Sequence, residues 1–191
     1  MGKWIGIGAL VILVLWIFSS YNGLVRNEET VSSQWGTVES QYQRRTDLIP
    51  NLVNTVKGYA QFEQETLTKV IEARANATSV KIDPTNITPE KLQQFQQAQE
   101  GVTSALSRLL VVVEKYPDLK ANQNFLDLQS QLEGTENRIA VERKRYNDVV
   151  IDYNNSVRTF PGVVVAKITG FQPKAYFEAA EGAERAPTVT F

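Results

Sequence analysis

The chain contains no cysteine and no histidine. Without cysteine there are no disulfide bonds and no thiolate nucleophiles, and without histidine the commonest general base is missing. The two usual zinc ligands, cysteine and histidine, are therefore both absent. Neither positive nor negative charge is in excess, because the chain has 20 Lys and Arg and 21 Asp and Glu, for a net charge of -1. A near-neutral chain has no basic field that attracts nucleic acid. We therefore predict no nucleic-acid binding, no cofactor and no enzymatic activity.

The longest apolar run lies at the N-terminus. Residues 4–18 contain no charged or strongly polar side chain, and Ser19, Ser20 and Tyr21 extend this low-polarity stretch. A membrane-spanning helix needs about 20 residues, a length this run reaches if its aromatic residues lie at the interfaces. A cleaved signal peptide is the alternative, but no small-x-small cleavage site follows the run. We predict a single-pass transmembrane anchor over residues 1–22.

Charges on either side of this anchor predict its orientation. Lys3 and the terminal amine lie before it, whereas Arg26 is followed by Glu28 and Glu29 after it. The positive-inside rule places the more basic flank in the cytoplasm. We expect the body of the protein on the periplasmic or extracellular side of the cell membrane.

Residues 23–161 have the pattern of long amphipathic helices. From Leu24 to Val70 apolar residues recur mostly at spacings of three, four or seven, as in a coiled coil. Asp83-Pro84 predicts a loop, and Thr88-Pro89 predicts the start of a helix that ends at Tyr116-Pro117. A last long helix begins at Pro117 or Asp118 and extends to Phe160, where Pro161-Gly162 follows. The pattern predicts an all-α protein with one bundle.

Pro50 leaves two architectures open. The apolar stripe keeps its phase through Pro50, which favours three long helices with the first kinked there. A break at residues 46–50 instead gives helices of similar length, with Asp47 as the cap of the second. We predict the break, and hence an antiparallel four-helix bundle after the transmembrane helix.

Residues 162–191 form a C-terminal tail with a different pattern. A short helix is predicted near residues 163–169, followed by an extended segment rich in aromatic residues. Exposed aromatic side chains need a surface that covers them. The tail docks either on its own bundle or on a neighbouring subunit or envelope partner. The candidate docking residues are Phe171, Tyr176, Phe177 and Phe191.

Several polar stretches resemble the signature of the LemA family. They are residues 44–53, 56–59, 73–75, 114–122, 133–139, 145–147 and 153–154, together with Phe160-Pro161 and the Gly170-Phe171-x-Pro173 tail. The resemblance covers nearly the whole chain, the N-terminal anchor included. It implies a bacterial, membrane-anchored helical bundle of the cell envelope. It implies no catalytic activity, because none is generally established for that family.

The polar residues within these stretches are candidates either for a structural layer or for an interaction site. Unpaired charge is costly inside a bundle, so charged residues in the apolar stripe need partners on facing helices. Acidic pairs could also perform acid–base chemistry, with Glu63, Glu114 or Glu136 the candidates in an envelope hydrolase or metal-dependent enzyme. We favour the structural interpretation. The candidates are Arg44, Arg45, Asp47, Asn51, Glu63, Arg74, Glu114, Asn122, Glu136, Arg138, Arg143 and Asn147.

These patterns together predict a non-enzymatic scaffold or interaction protein. An anchor fused to long helices suits self-association, because anchoring confines subunits and raises their effective concentration. The expected partners are the membrane, further copies of the chain and an envelope protein. A groove between helices that binds peptide or lipid is a third hypothesis, and it requires an exposed apolar cleft.

Overall fold

A computed structural model describes residues 2–60 and 63–178, with side chains from Trp4 onward. The regular secondary structure of the described residues is entirely helical, which confirms the all-α prediction. The helices are α1 Gly2–Tyr59, α2 Gln64–Ser79, α3 Pro89–Val113, α4 Pro117–Lys120, α5 Gln123–Arg158 and α6 Gly162–Thr169. Phe191 lies outside the described residues.

Helix α1 joins the apolar N-terminal segment to the body without interruption. Its first part is apolar and long enough to cross a membrane, and none of that part is buried inside the protein. From Leu24 onward most of its apolar side chains are buried. One helix therefore serves as both the candidate membrane span and the central element of the body.

The long helices α1 and α5 are antiparallel. Asn27 binds Ser156, Gln34 binds Glu142 and Arg45 binds Glu136, so the numbers rise on one helix as they fall on the other. Helix α5 has 36 residues, about 54 Å, and residues 24–59 of α1 have the same length. Helix α2 packs against α1 and along α3. The part of α1 that lies in the body is therefore no longer than α5, the helix it packs against.

The predicted helix break at residues 46–50 is wrong. Helix α1 continues through Pro50 to Tyr59, and the first two helices of the body separate at residues 60–63. Pro50 has no N–H to donate to the carbonyl of Thr46, one turn earlier. Arg74 of α2 takes that place, since its Nε donates to the Thr46 carbonyl at 2.8 Å. A contact from another helix satisfies the acceptor that the proline leaves free.

Asp47 is correspondingly not a helix cap. It lies inside α1 on an exposed face, where its carboxylate accepts a hydrogen bond from Gln43 at 2.7 Å. The predicted cap at the start of α3 is confirmed, since the Thr88 hydroxyl accepts from the Lys91 N–H and Pro89 opens the helix. The helix predicted over residues 117–160 is divided at Ala121–Asn122, where Asn122 caps α5 by accepting from the Phe125 N–H.

Arg74→Met should destabilise the protein by about 1–3 kcal/mol, because the buried Thr46 carbonyl loses its donor. The same substitution should cost less when Pro50 is replaced by alanine, which supplies an N–H to that carbonyl. Urea unfolding of the two single variants and the double variant in detergent measures this coupling. Equal costs in both backgrounds would refute the compensation.

Candidate interaction site

Arg45 is a buried charged residue at the middle of the body, with 1% of its surface exposed. Its Nη1 donates to Glu136 Oε1 at 2.7 Å and to Thr103 Oγ1 at 3.0 Å. Its Nη2 donates to the side chain of Gln99 at 2.6 Å and to the Gln99 carbonyl at 3.0 Å. We call Arg45, Gln99, Thr103 and Glu136 the Arg45 layer. It joins α1, α3 and α5.

The layer explains why a guanidinium occupies a position in the apolar stripe. A buried charge is tolerated when it is paired, and the planar fork of arginine reaches several acceptors at once. In Arg45 these contacts come from the two Nη atoms, whereas its buried Nε has no hydrogen-bond partner among the described residues. The Arg45 guanidinium also lies 5.2 Å from the centre of the Tyr42 ring. Burial raises the pKa of the Tyr42 hydroxyl, against the opposing charges of Arg143 and Arg45.

An apolar groove of about 500 Å³ opens beside this layer, between α3 and α5. Thr103 and Glu136 belong both to the layer and to the groove wall. The remaining wall is mainly leucine, with a polar and acidic rim. The lining residues are Leu52, Thr103, Leu106, Ser107, Leu110, Gln129, Leu132, Glu133, Glu136 and Asn137.

The three candidate catalytic carboxylates have separate partners. Glu63 accepts a hydrogen bond from the Tyr116 hydroxyl at 3.2 Å, Glu114 pairs with the exposed Lys120, and Glu136 binds Arg45. Within residues 2–60 and 63–178, no three acidic side chains are grouped as metal ligands. The Glu136 carboxylate lines the groove and is already paired with the Arg45 guanidinium. In the groove it is therefore suited to recognising a bound partner.

The tail, residues 171–178, lies along α5 and is held by two asparagines. Asn147 accepts from the Phe177 N–H at 2.8 Å and donates to the Phe177 carbonyl at 2.9 Å. Asn154 makes the same pair with the N–H and carbonyl of Lys174, both at 2.8 Å. Each side-chain amide thus makes, to one tail residue, the two backbone hydrogen bonds that a neighbouring strand would make.

The spacing of these contacts matches a helix to an extended chain. Asn147 and Asn154 are seven residues apart, or about 10.5 Å along α5, and three extended residues cover about 10 Å. The tyrosines that precede them, Tyr146 and Tyr153, donate to the carbonyls of Ala175 and Gln172, again three residues apart. A Tyr-Asn dipeptide repeated after seven residues therefore binds the tail in register.

Lys174 connects the tail to two other parts of the protein. It is buried, and its Nζ donates to the carbonyls of Pro84 and Thr85, both at 3.0 Å. The same nitrogen lies 3.1 Å from a carboxylate oxygen of Glu28 on α1. The lysine thus fixes the α2–α3 loop and α1 against the tail.

Comparison with known proteins places this arrangement in a family. The model of the LemA family matches residues 34–191. The chain belongs to the LemA family. It is 26% identical to Protein LemA of Metamycoplasma hominis over 160 residues, which cover 84% of this chain and 69% of the relative. It is also 26% identical to Magnetosome protein MamQ 2 of Paramagnetospirillum magneticum, over 91% of this chain and 70% of the relative.

The Magnetosome protein MamQ of Magnetospirillum gryphiswaldense has the same identity, 26%, over 91% of this chain and 70% of its own length. The match to the family confirms the resemblance inferred from the sequence. Both the Arg45 layer and the two Tyr-Asn dipeptides lie within the matched residues.

The structure of this LemA-family chain separates the other polar candidates from the Arg45 layer. Arg44, Asn51 and Arg138 are exposed, so they do not belong to the buried layer. Arg143 instead contacts the tail, with its guanidinium 4.7 Å from the Phe177 ring and a bond of 3.0 Å to the Glu178 carbonyl.

Two aromatic residues of the tail contact α1, one at its membrane-proximal part and one in the body. Phe171 packs on Tyr21, with ring centres 5.9 Å apart, and Phe177 stacks on Trp35 at 5.9 Å. The Tyr176 hydroxyl accepts from Asn154 at 2.8 Å. The described tail therefore docks on its own bundle.

Sequence reasoning missed Gln99 and Thr103 in the Arg45 layer, and it missed Asn154 and Lys174 among the residues that hold the tail. Gln99 and Thr103 are ordinary polar residues on an amphipathic helix, and only their contact with Arg45 distinguishes them. A lysine in a polar tail is normally exposed, so nothing marked Lys174. The repeated Tyr-Asn dipeptide was the signal that could have identified Asn154.

The buried tyrosines should make stability fall in alkali. Burial raises the pKa of the Tyr146 and Tyr153 hydroxyls well above the ordinary value of 10.0. The neutral forms therefore stabilise the fold fully below about pH 10, and this stabilisation is lost as the pH rises towards the folded-state pKa. Each tyrosine contributes a slope of about 1.4 kcal/mol per pH unit.

Urea unfolding between about pH 9 and about pH 11 measures this slope. Tyr146→Phe should reduce it, because phenylalanine cannot ionise. Parallel pH profiles for the natural chain and this variant would contradict the assignment.

Proposed function

We propose that this chain is a non-enzymatic, membrane-anchored scaffold or interaction protein of the bacterial cell envelope, which self-associates through its helical body. The observation that carries the proposal is the continuity of α1. A single helix extends from the apolar segment at Trp4 to Tyr59. A partner bound to the body is therefore held at a fixed height and orientation above the membrane.

The apolar groove is the surface we assign to interaction. Its leucine wall suits the apolar face of a helix, and Glu133 and Asn137 on its rim suit the polar residues that flank such a face. Membrane anchoring raises the effective concentration of neighbouring copies, so a weak contact in the groove is enough for association. A helix of a second copy is the occupant we propose.

Crosslinking of the full-length protein in its membrane, followed by mass measurement, tests self-association. We expect crosslinked dimers or larger species, and a monomer throughout would refute the proposal. Leu110→Glu should reduce crosslinking, because it places a charge on the groove wall. Val111→Glu is the matched control, since Val111 is the next residue of α3 and is exposed outside the groove.

The groove also supports a second function, the binding of an apolar peptide from an envelope protein. This function and self-association differ in what crosslinks at the groove. If a label at Ser107, on the groove wall, captures a different protein and no second copy, the groove serves a partner. Capture of the same chain supports self-association.

An envelope hydrolase or metal-dependent enzyme is the less supported alternative. It requires two of the three candidate carboxylates in one open pocket, whereas Glu63 and Glu114 bind Tyr116 and Lys120 outside the groove lining. Glu136→Gln tests the alternative directly. A hydrolytic activity of the membrane protein that this substitution abolishes would favour the enzyme.

Orientation of the body is part of the same proposal. We place it on the periplasmic or extracellular side, because Lys3 precedes the span while Glu28 and Glu29 follow it. Protease added to cells with a permeable outer layer should digest the body and leave the N-terminal segment protected. Protection of the body would reverse the orientation.

A further inference from the structure

We infer that α6 and the residue pair before it form a second membrane contact, seated in the interface of the same bilayer that α1 spans. The inference rests on the proposed membrane anchoring. Its surface is a stripe of three exposed apolar residues spaced four apart: Phe160, Val164 and Ile168, which are 76%, 45% and 80% exposed. We call this set the α6 stripe.

The opposite face of α6 fixes the direction of the stripe. Val165 and Ala166 are buried in the same apolar cluster as Leu24 of α1 and Val157 of α5. The turn from α5 into α6 requires glycine at position 162, because a Cβ there would lie 1.9 Å from the Ser156 carbonyl oxygen. Helix α6 is therefore held firmly against α1, and its stripe points away from the body.

The stripe lies beside the candidate membrane span. The ring of Phe160 packs on that of Trp16 of α1, with centres 5.5 Å apart. Trp16 lies in the C-terminal half of the segment between Lys3 and Arg26, a stretch of 22 residues without charge. The α6 stripe is thus continuous with the apolar surface of the span.

The length of the span decides where the bilayer ends. Residues 4–21 cover about 27 Å as a helix, close to the roughly 30 Å of the hydrocarbon core, and Trp16 then lies about 8 Å from the end at Tyr21. If the bilayer stopped short of Phe160, only residues 4–15 would remain, about 18 Å, which is too short to cross. A bilayer thick enough for the span therefore reaches the level of Phe160.

The chemistry of α6 suits the zone between headgroups and acyl chains. Interfacial helices place an apolar face about 5–10 Å into this zone and keep cationic residues at the headgroups. Lys167, which is exposed, lies next to the stripe and can extend its amine towards lipid phosphates. The partner that fits this surface is an anionic phospholipid bilayer.

Site-directed fluorescence tests the inference, because the chain has no natural cysteine. Ile168→Cys, carrying an environment-sensitive fluorophore, is reconstituted as the full chain in phosphatidylcholine and phosphatidylglycerol vesicles. Nitroxide-labelled lipids should quench its emission, because an interfacial helix inserts its apolar face about 5–10 Å into the bilayer. Leu10→Cys in the span and Val111→Cys at the far end of α3 are the controls, both at exposed sites that tolerate the label.

We expect quenching at Ile168 and Leu10 and none at Val111. Quenching at Leu10 with none at Ile168 would overturn the α6 contact and leave the anchoring intact. An unquenched Leu10 would overturn the anchoring and the inference with it. Blue-shifted emission at Ile168 that persists in detergent without quenching would assign the stripe to a second subunit instead.

Discussion

Arg45→Ala should lower the free energy of unfolding by about 2–5 kcal/mol, the usual cost of truncating a large, fully buried side chain to alanine. The substitution removes the partner of Glu136, Thr103 and Gln99 at once. It also leaves space in the middle of the body, where Arg45 is among the largest fully buried side chains. Urea unfolding of the full chain in detergent measures the loss.

Arg44→Ala is the matched control, since Arg44 is the preceding residue of α1 and is exposed. Its effect should stay within about 0.5 kcal/mol. Arg45→Met, which keeps most of the volume and removes the charge, separates packing from pairing. If Arg45→Ala and Arg44→Ala cost the same, the layer does not stabilise the body.

Asn154→Ala should release the tail from α5. The N–H and carbonyl of Lys174 lose both partners, and the Tyr176 hydroxyl loses its donor. Each buried group without a partner costs about 1–3 kcal/mol. Hydrogen exchange should become faster at Lys174 and Phe177, and limited proteolysis should cut within the tail.

The neighbouring Asn155 provides the control, because it is exposed on the same helix. Asn155→Ala should leave exchange in the tail unchanged. Slow exchange at Lys174 in the Asn154 variant would show that Tyr153 and the Lys174 ion pair hold the tail without the asparagine.

Much of the fold was predictable because it depends on local chemistry. The capping hydroxyl of Thr88, the rigid ring of Pro89 and the spacing of apolar residues act over one or two helical turns. The burial of Arg45 was also foreseeable from its position in the apolar stripe. Its acceptors were not, because Gln99 and Thr103 lie more than fifty residues away in sequence.

Pro50 shows where local reasoning fails. A proline favours a helix end when only its own turn is considered, because it leaves the Thr46 carbonyl without a donor. The chain supplies the donor from Arg74, on a helix that folds back against α1. The error in the predicted break and in the Asp47 cap has this single cause.

The sequence by itself determined that the chain is helical, that it carries an apolar N-terminal segment and that it resembles the LemA family, since composition, periodicity and motif are properties of short stretches. Tertiary structure alone decided the continuity of α1, the partners of Arg45, the register of the tail on the Tyr-Asn repeats and the placement of the α6 stripe beside Trp16. Each of these depends on which surfaces meet when helices of known length pack, and no short stretch of sequence contains that information.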